Sequence, residues 1–137
     1  MIKVEHLTKQ FSLSKAQKKE TNTNDEFAFG KRGLAKYYLD DNAGAISDYT
    51  KAIEIDPNSS DFYNNRGLAK DKLNDYAGAI KDFTKAIAIN SNYANAYTHR
   101  GFSNFFLENY SRAIKDFNNS ASNFLTVFDP GWNSLTV

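Results

Sequence analysis

Residues 60–93 read SDFYNNRGLAKDKLNDYAGAIKDFTKAIAINSNY, and this stretch decides the fold. Shifted by 34 places in either direction, it meets its own residue types again. Gly67 is matched by Gly33 and Gly101, Arg66 by Arg32 and Arg100, and Leu73 by Leu39 and Leu107. Ala79 is matched by Ala45 and Ala113, each followed by an isoleucine, at Ile46, Ile80 and Ile114. Asp82 is matched by Asp48 and Asp116, and Phe83 by Tyr49 and Phe117. So many matches at one offset mark an internal repeat. A repeat of this length is one supersecondary unit that buries its apolar face only by stacking on neighbours.

Each unit reads as two helices. The first is predicted over 29–39, 63–73 and 97–107, the second over 43–55, 77–89 and 111–123. Asp40-Asp41-Asn42, Asn74-Asp75 and Glu108-Asn109 mark the turn inside each unit, since such residues favour turns and helix starts. Pro57-Asn58 ends the first unit, because proline cannot continue a helix, and Asn90-Ser91-Asn92 ends the second. Gly33, Gly67 and Gly101 fall mid-helix, where glycine costs about 1 kcal/mol against alanine. That cost points to close approach of a partner helix, with Ala45, Ala79 and Ala113 expected as the matching small surface. Tyr49, Phe83 and Phe117, with Ala52 and Ala86, are expected to fill the space between units.

The pattern resembles the tetratricopeptide repeat (TPR) family. Residues 26–59, 60–93 and 94–127 align as three units, about three quarters of the chain. Unit two carries Tyr63, Gly67, Ala79, Phe83 and Ala86, with Ser91 where the family has proline. Unit three carries Tyr97, Gly101, Ala113 and Phe117, with Ser120 for the second alanine. The resemblance implies an all-α fold: a right-handed superhelical solenoid of three helix-turn-helix repeats, about six helices. It also implies a concave face lined by the first helices, where an extended peptide or a partner helix binds. No catalysis is implied.

By the family's geometry, the groove-facing positions of unit one are Phe27, Gly30, Lys31, Leu34, Tyr37 and Tyr38. Those of unit two are Asp61, Asn64, Asn65, Leu68, Asp71 and Lys72, and those of unit three Asn95, Thr98, His99, Phe102, Phe105 and Phe106. The candidate peptide-binding residues among them are Lys31, Leu34, Tyr38, Asn64, Asn65, Leu68, Lys72, Asn95, Thr98, His99, Phe102, Phe105 and Phe106. Asn64, Asn65 and Asn95 would offer amides that both donate and accept, as an extended backbone requires; the alternative is that they only solvate the face. Phe102, Phe105, Phe106, Tyr37 and Tyr38 offer the aromatic area that concentrates binding energy; alternatively, one or two of each set pack between units. At least one of Phe105 and Phe106 is expected to be partly exposed, and His99 to be solvated. Some members of the family grip the acidic C-terminus of heat-shock chaperones with a carboxylate clamp. It uses lysine and asparagine in the first unit, asparagine in the second, and lysine and arginine in the third. Here the matching positions hold Gly30, Leu34, Asn65, Asn95 and His99, and only Asn65 agrees. A terminal carboxylate would lack its fixed cations, so chaperone-tail binding is not expected.

Arg32, Arg66 and Arg100 each precede an aspartate by sixteen residues: Asp48, Asp82 and Asp116. The shared period predicts ion pairs across or between units that fix register. The alternative is an arginine row that grips an acidic ligand or phosphate.

The remaining composition narrows the function classes. The chain has 137 residues, a net charge of +1 and no cysteine. Disulfides and thiolate metal sites are excluded, and no overall basic field draws the chain to nucleic acid. No apolar run approaches 18 residues, so a membrane span is not expected. No secretory signal is read in residues 1–10, and a cytoplasmic location is the expectation. The two histidines, His6 and His99, cannot alone supply an ordinary zinc site, and no phosphate loop or nucleophile motif appears. No catalytic residues, cofactor or metal are therefore expected, and the partner is a protein or peptide. Residues 1–25 form a non-repeat arm or linker. Residues 1–12 resemble the opening strand of transporter ATP-binding subunits, without the phosphate loop that must follow. The tail, 128–137, contains the Asp129-Pro130-Gly131 turn and Trp132. With Phe124, Val127 and Phe128 it is expected either to fold back over the last helix pair or to leave an uncapped end that self-associates.

Overall fold

The structure, a computed structural model, describes residues 25–128. Six helices and no strand occur among the described residues: α1 Glu26–Tyr38, α2 Asn42–Ile55, α3 Ser60–Lys72, α4 Tyr76–Ile89, α5 Ala94–Phe106 and α6 Tyr110–Phe128. Each helix packs on the next, most extensively within the pairs α1–α2, α3–α4 and α5–α6. The first helices of successive units also touch, α1 on α3 and α3 on α5, more than the second helices do. The stack therefore curves with its first helices on the inner side. Of the arm, 1–25, and the tail, 128–137, only the ends are described: Asp25 caps α1 and Phe128 ends α6, and the remainder of both readings lies outside the described residues.

The first helices start three residues earlier than predicted. At α1 the cause is Asp25, whose carboxylate accepts from the Phe27 and Ala28 amides and satisfies two of the orphan donors of the first turn. Glu26 and Asp61, in the first turns of α1 and α3, favour the positive end of each helix. Asp41 and Asp75 cap α2 and α4 by accepting from the Gly44 and Gly78 amides. Helix α6 runs five residues past its predicted end, because Leu125-Thr126 stands where the first unit has Pro57-Asn58.

The turns inside the units share one geometry. Asp40, Asn74 and Glu108 have φ of 63°, 62° and 61°, and the amides of Asp41, Asp75 and Asn109 reach back to the carbonyls of Lys36, Lys70 and Asn104 at 2.9, 2.9 and 2.8 Å. This is the six-to-one bond that closes a helix through a left-handed residue. Asp and Asn tolerate that conformation well; Glu108 is there against a cost of about 1 kcal/mol.

The glycines face rings, which corrects the expected match with alanine. A Cβ on Gly67 would lie 2.6 Å from the Phe83 ring, on Gly101 2.7 Å from Phe117, and on Gly33 3.1 Å from Tyr49. Each glycine is thus the notch for the aromatic sixteen residues later in its own unit. The alanines serve the junction: Ala45 is buried with Tyr49 and with Ala69 of the next unit, flanked by Tyr37, Ile46 and Phe62.

Every arginine of the ladder makes a two-pronged bond to the aspartate of its own unit. The Arg32 guanidinium donates to both Asp48 oxygens at 2.7 Å, Arg66 to Asp82 at 2.9 and 2.7 Å, and Arg100 to Asp116 at 3.0 and 2.7 Å. A second donor joins each carboxylate: Lys36 at 2.9 Å, Lys70 at 2.7 Å and Asn104 at 3.1 Å. The remaining guanidinium nitrogen crosses to the preceding unit, Arg66 to the Thr50 hydroxyl and Arg100 to Thr84, both at 3.1 Å. The ladder thus ties helices within a unit and sets register between units. The guanidinium of Arg32, backed by Lys36, holds the Asp48 carboxyl down at about 2. Arg32 has no unit in front of it among the described residues, and its side chain is 55% exposed against 16% for Arg66.

Candidate functional site: the inner face of the first helices

The first helices of units one and three carry exposed apolar side chains. Phe27, Leu34 and Tyr38 of α1 and Phe102, Phe105 and Phe106 of α5 are all exposed, so both Phe105 and Phe106 meet solvent. Leu68 and Asn65 of α3 lie between them, partly exposed. The rings brace one another. Phe106 stacks on Tyr76 of α4 at 5.0 Å, Phe105 meets Tyr110 edge-on at 5.4 Å, and Phe102 meets Phe117 at 5.1 Å. Rings held this way have little rotamer freedom to lose on binding.

Two depressions follow one another along this face. The smaller, about 90 Å³, lies among Leu34, Tyr37, Tyr38, Tyr49, Asn65 and Leu68. The larger, about 380 Å³, is lined by Tyr37, Leu68, Asp71, Lys72, Asn74, Tyr76 and Phe106. Tyr37 and Leu68 belong to both, so the two are continuous. Lys31, Lys72 and Asn95 are exposed at the margins.

Three candidates are not free. Asn64 is buried at 3% exposure, and its carbonyl oxygen lies 3.1 Å from His99 Nδ1. His99, expected to be solvated, is half-buried against the Phe83 ring at 5.5 Å, and burial lowers its pKa. The Thr98 hydroxyl bonds to Ser120 and to the Ala94 carbonyl, so it faces α6 rather than a groove. Gly30, at the same place in unit one, lies beneath Phe62. The fifth residue of each unit is therefore a packing position, and the amide row predicted on the surface shrinks to Asn65 and Asn95.

Asp71 was placed among the groove-facing positions but not among the peptide-binding candidates, and Tyr76 in neither set. Asp71 is half-buried, accepts from the Ser103 hydroxyl at 2.8 Å, and is pushed up to about 6 by that burial. A signal for it existed: positions 37, 71 and 105 read Tyr, Asp, Phe, and positions 35, 69 and 103 read Ala, Ala, Ser. The charge and the hydroxyl that meets it both depart from the repeat.

Among the described residues, no cluster of three or more His, Asp or Glu could hold a metal ion, and no helix is long and apolar enough to cross a membrane.

Comparison with known proteins agrees with this architecture. A family model described as tetratricopeptide repeat matches residues 60–93, and one described as TPR repeat matches residues 33–73. No curated protein sequence matches the chain. Among solved structures, the first TPR of Spaghetti (RPAP3) bound to the HSP90 peptide SRMEEVD is 28% identical with a TM-score of 0.71, covering 72% of this chain and 78% of that one. The second TPR of the same protein, bound to the same peptide, is 28% identical with a TM-score of 0.70, covering 76% and 96%. The Arabidopsis OM64 TPR domain is also 28% identical, with a TM-score of 0.70, covering 72% and 81%. The described helices are an all-α solenoid of tetratricopeptide repeats. The likeness of residues 1–12 to transporter ATP-binding subunits finds no support in these comparisons.

Proposed function

We propose that the chain is a protein-interaction scaffold whose inner face holds an extended peptide or a partner helix. One observation carries this reading: two adjoining depressions that run from Leu34 and Tyr38 through Asn65 and Leu68 to Phe106, with the exposed Phe102 and Phe105 on the same helix as Phe106. Exposed apolar area of this extent marks a binding surface more often than an accident of composition. The two structures that carry an HSP90 peptide, at 28% identity, support the class of ligand. They do not carry over its chemistry. Gly30 is closed off by Phe62, Leu34 is apolar, and His99 is held toward its neutral form. The preferred peptide therefore makes apolar contacts along this face and does not depend on an acidic terminus. The test is selection from a displayed peptide library on the whole chain, followed by fluorescence anisotropy with Asn65→Ala and Phe106→Ala. About a tenfold loss or more is expected for Phe106→Ala, a truncated aromatic anchor, at unchanged melting temperature. Selected peptides that bind both variants as well as the parent would refute the reading.

A second reading rests on the far end of the stack. Ile114 is 61% exposed, whereas Ile46 and Ile80, its counterparts, are partly covered by the units that follow them. Self-association through that end would cover it.

A further inference from the structure

The larger depression has a chemistry that an apolar peptide alone does not use. Its walls are the rings of Tyr37, Tyr76 and Phe106, with Tyr76 and Phe106 stacked nearly parallel at 16°. The Asp71 carboxyl lies among them, bonded to one hydroxyl, that of Ser103, and to no cation among the described residues. The more deeply buried carboxylates, Asp48, Asp82 and Asp116, each hold an arginine and a second donor. Asp71 is the one of these four left without a positive charge. A half-desolvated carboxylate beside aromatic faces is complementary to a cation, which gains from the charge and from the ring quadrupoles together.

We propose that this pocket receives one basic side chain, lysine or arginine, of the peptide in the groove, with Asp71 as its counter-ion and Tyr37, Tyr76 and Phe106 as its walls. The proposal rests on the groove reading above and adds the residue type that fixes the peptide's register. Lys72 lines the same depression but makes no ion pair with Asp71. The other groups around the carboxyl are Tyr37 of α1, Asp75 and Tyr76 at the start of α4, and His99, whose carbonyl also accepts from Ser103. Asp75 adds to the cost of ionising Asp71. An incoming cation relieves both burial and this repulsion, so binding releases a proton near the titration point of Asp71 and strengthens as pH rises through it.

The test uses the whole chain and two probes, N-acetyl-lysine methylamide and its uncharged isostere N-acetyl-norleucine methylamide, followed by NMR. The lysine probe is expected to shift the amide signals of Asp71, Tyr76 and Phe106 and to bring the Asp71 carboxyl titration down from about 6. The norleucine probe should do neither, and Asp71→Asn, which retains a partner for Ser103, should abolish the difference. Equal shifts from both probes, or a lysine response that survives in Asp71→Asn, would overturn the proposal. Library peptides that bind the groove while the lysine probe leaves these signals unmoved would sink the pocket and leave the groove. A lysine response with no peptide binding would do the reverse.

Discussion

At the scale of single residues, the glycine notches and Asp71 carry consequences that can be measured. Gly67→Ala places a methyl 2.6 Å from the fully buried Phe83 ring, which cannot swing away. Overpacking of this kind costs about 1–3 kcal/mol, offset by about 1 kcal/mol of helix propensity. Gly33→Ala meets Tyr49 at 3.1 Å, which asks the ring to give by only a few tenths of an ångström. Chemical denaturation should therefore show Gly67→Ala destabilised and Gly33→Ala close to neutral; equal losses would mean the notches are not what separates them. Asp71 predicts a pH effect of defined sign. Its folded pKa is raised to about 6, above the unfolded value of about 4. The folded state thus binds the proton more tightly, and this advantage, full below the unfolded value, is lost as pH rises through about 6. Asp71→Asn should raise stability at pH 7 by about 1 kcal/mol, a figure reduced for solvent screening, and by nothing near pH 3. The existence of the notches was legible from three glycines at one spacing. Their partners were not, because a period of 34 says which positions are equivalent and not which of them touch.

At the scale of elements, the arginine ladder ties helix to helix. Arg66→Ala removes both prongs on the buried Asp82 and the bond to Thr50 of the unit before, leaving only Lys70. A cost of about 2–3 kcal/mol is expected, since a buried charge loses most of its compensation. Arg32→Ala, at an exposed end of the ladder, should cost clearly less. Thermal melts of the two variants check the order, and an equal loss would contradict the inter-unit role. Asp48 adds an acid limb: its folded pKa of about 2 lies below the unfolded value, so its contribution is present at neutral pH and lost as pH falls toward 2. Asp48→Asn should flatten stability over that range. The pairing of these rows was legible because arginine and aspartate share one period. The start of α1 was missed because its signal is the Asp25 carboxylate on two amides, before the first periodic aromatic. Asn64, Thr98 and His99 were misplaced for a different reason. Family register assigns a direction to each position, but the fifth residue of a unit turns into the packing, and His99 follows Asn64 there.

At the scale of the whole molecule, the curved stack presents two unequal surfaces. The concave strip is apolar and braced, whereas the depression on the other side of units two and three, about 270 Å³, is walled by Arg100, Arg112, Lys115 and Asp116 and has its centre committed to the ladder. Binding through the strip and assembly through the end at Ile114 predict different outcomes. Ile114→Glu should abolish any concentration-dependent sedimentation and leave peptide binding unchanged; loss of peptide binding in that variant would place the ligand at the end of the stack. The most direct test of the central claim is a map of amide shifts on adding a library-selected peptide to the whole chain. Shifts confined to the inner faces of α1, α3 and α5, centred on Asn65, Leu68, Phe102 and Phe106, are the predicted result. Shifts centred instead on the outer sides of α2, α4 and α6 would contradict it.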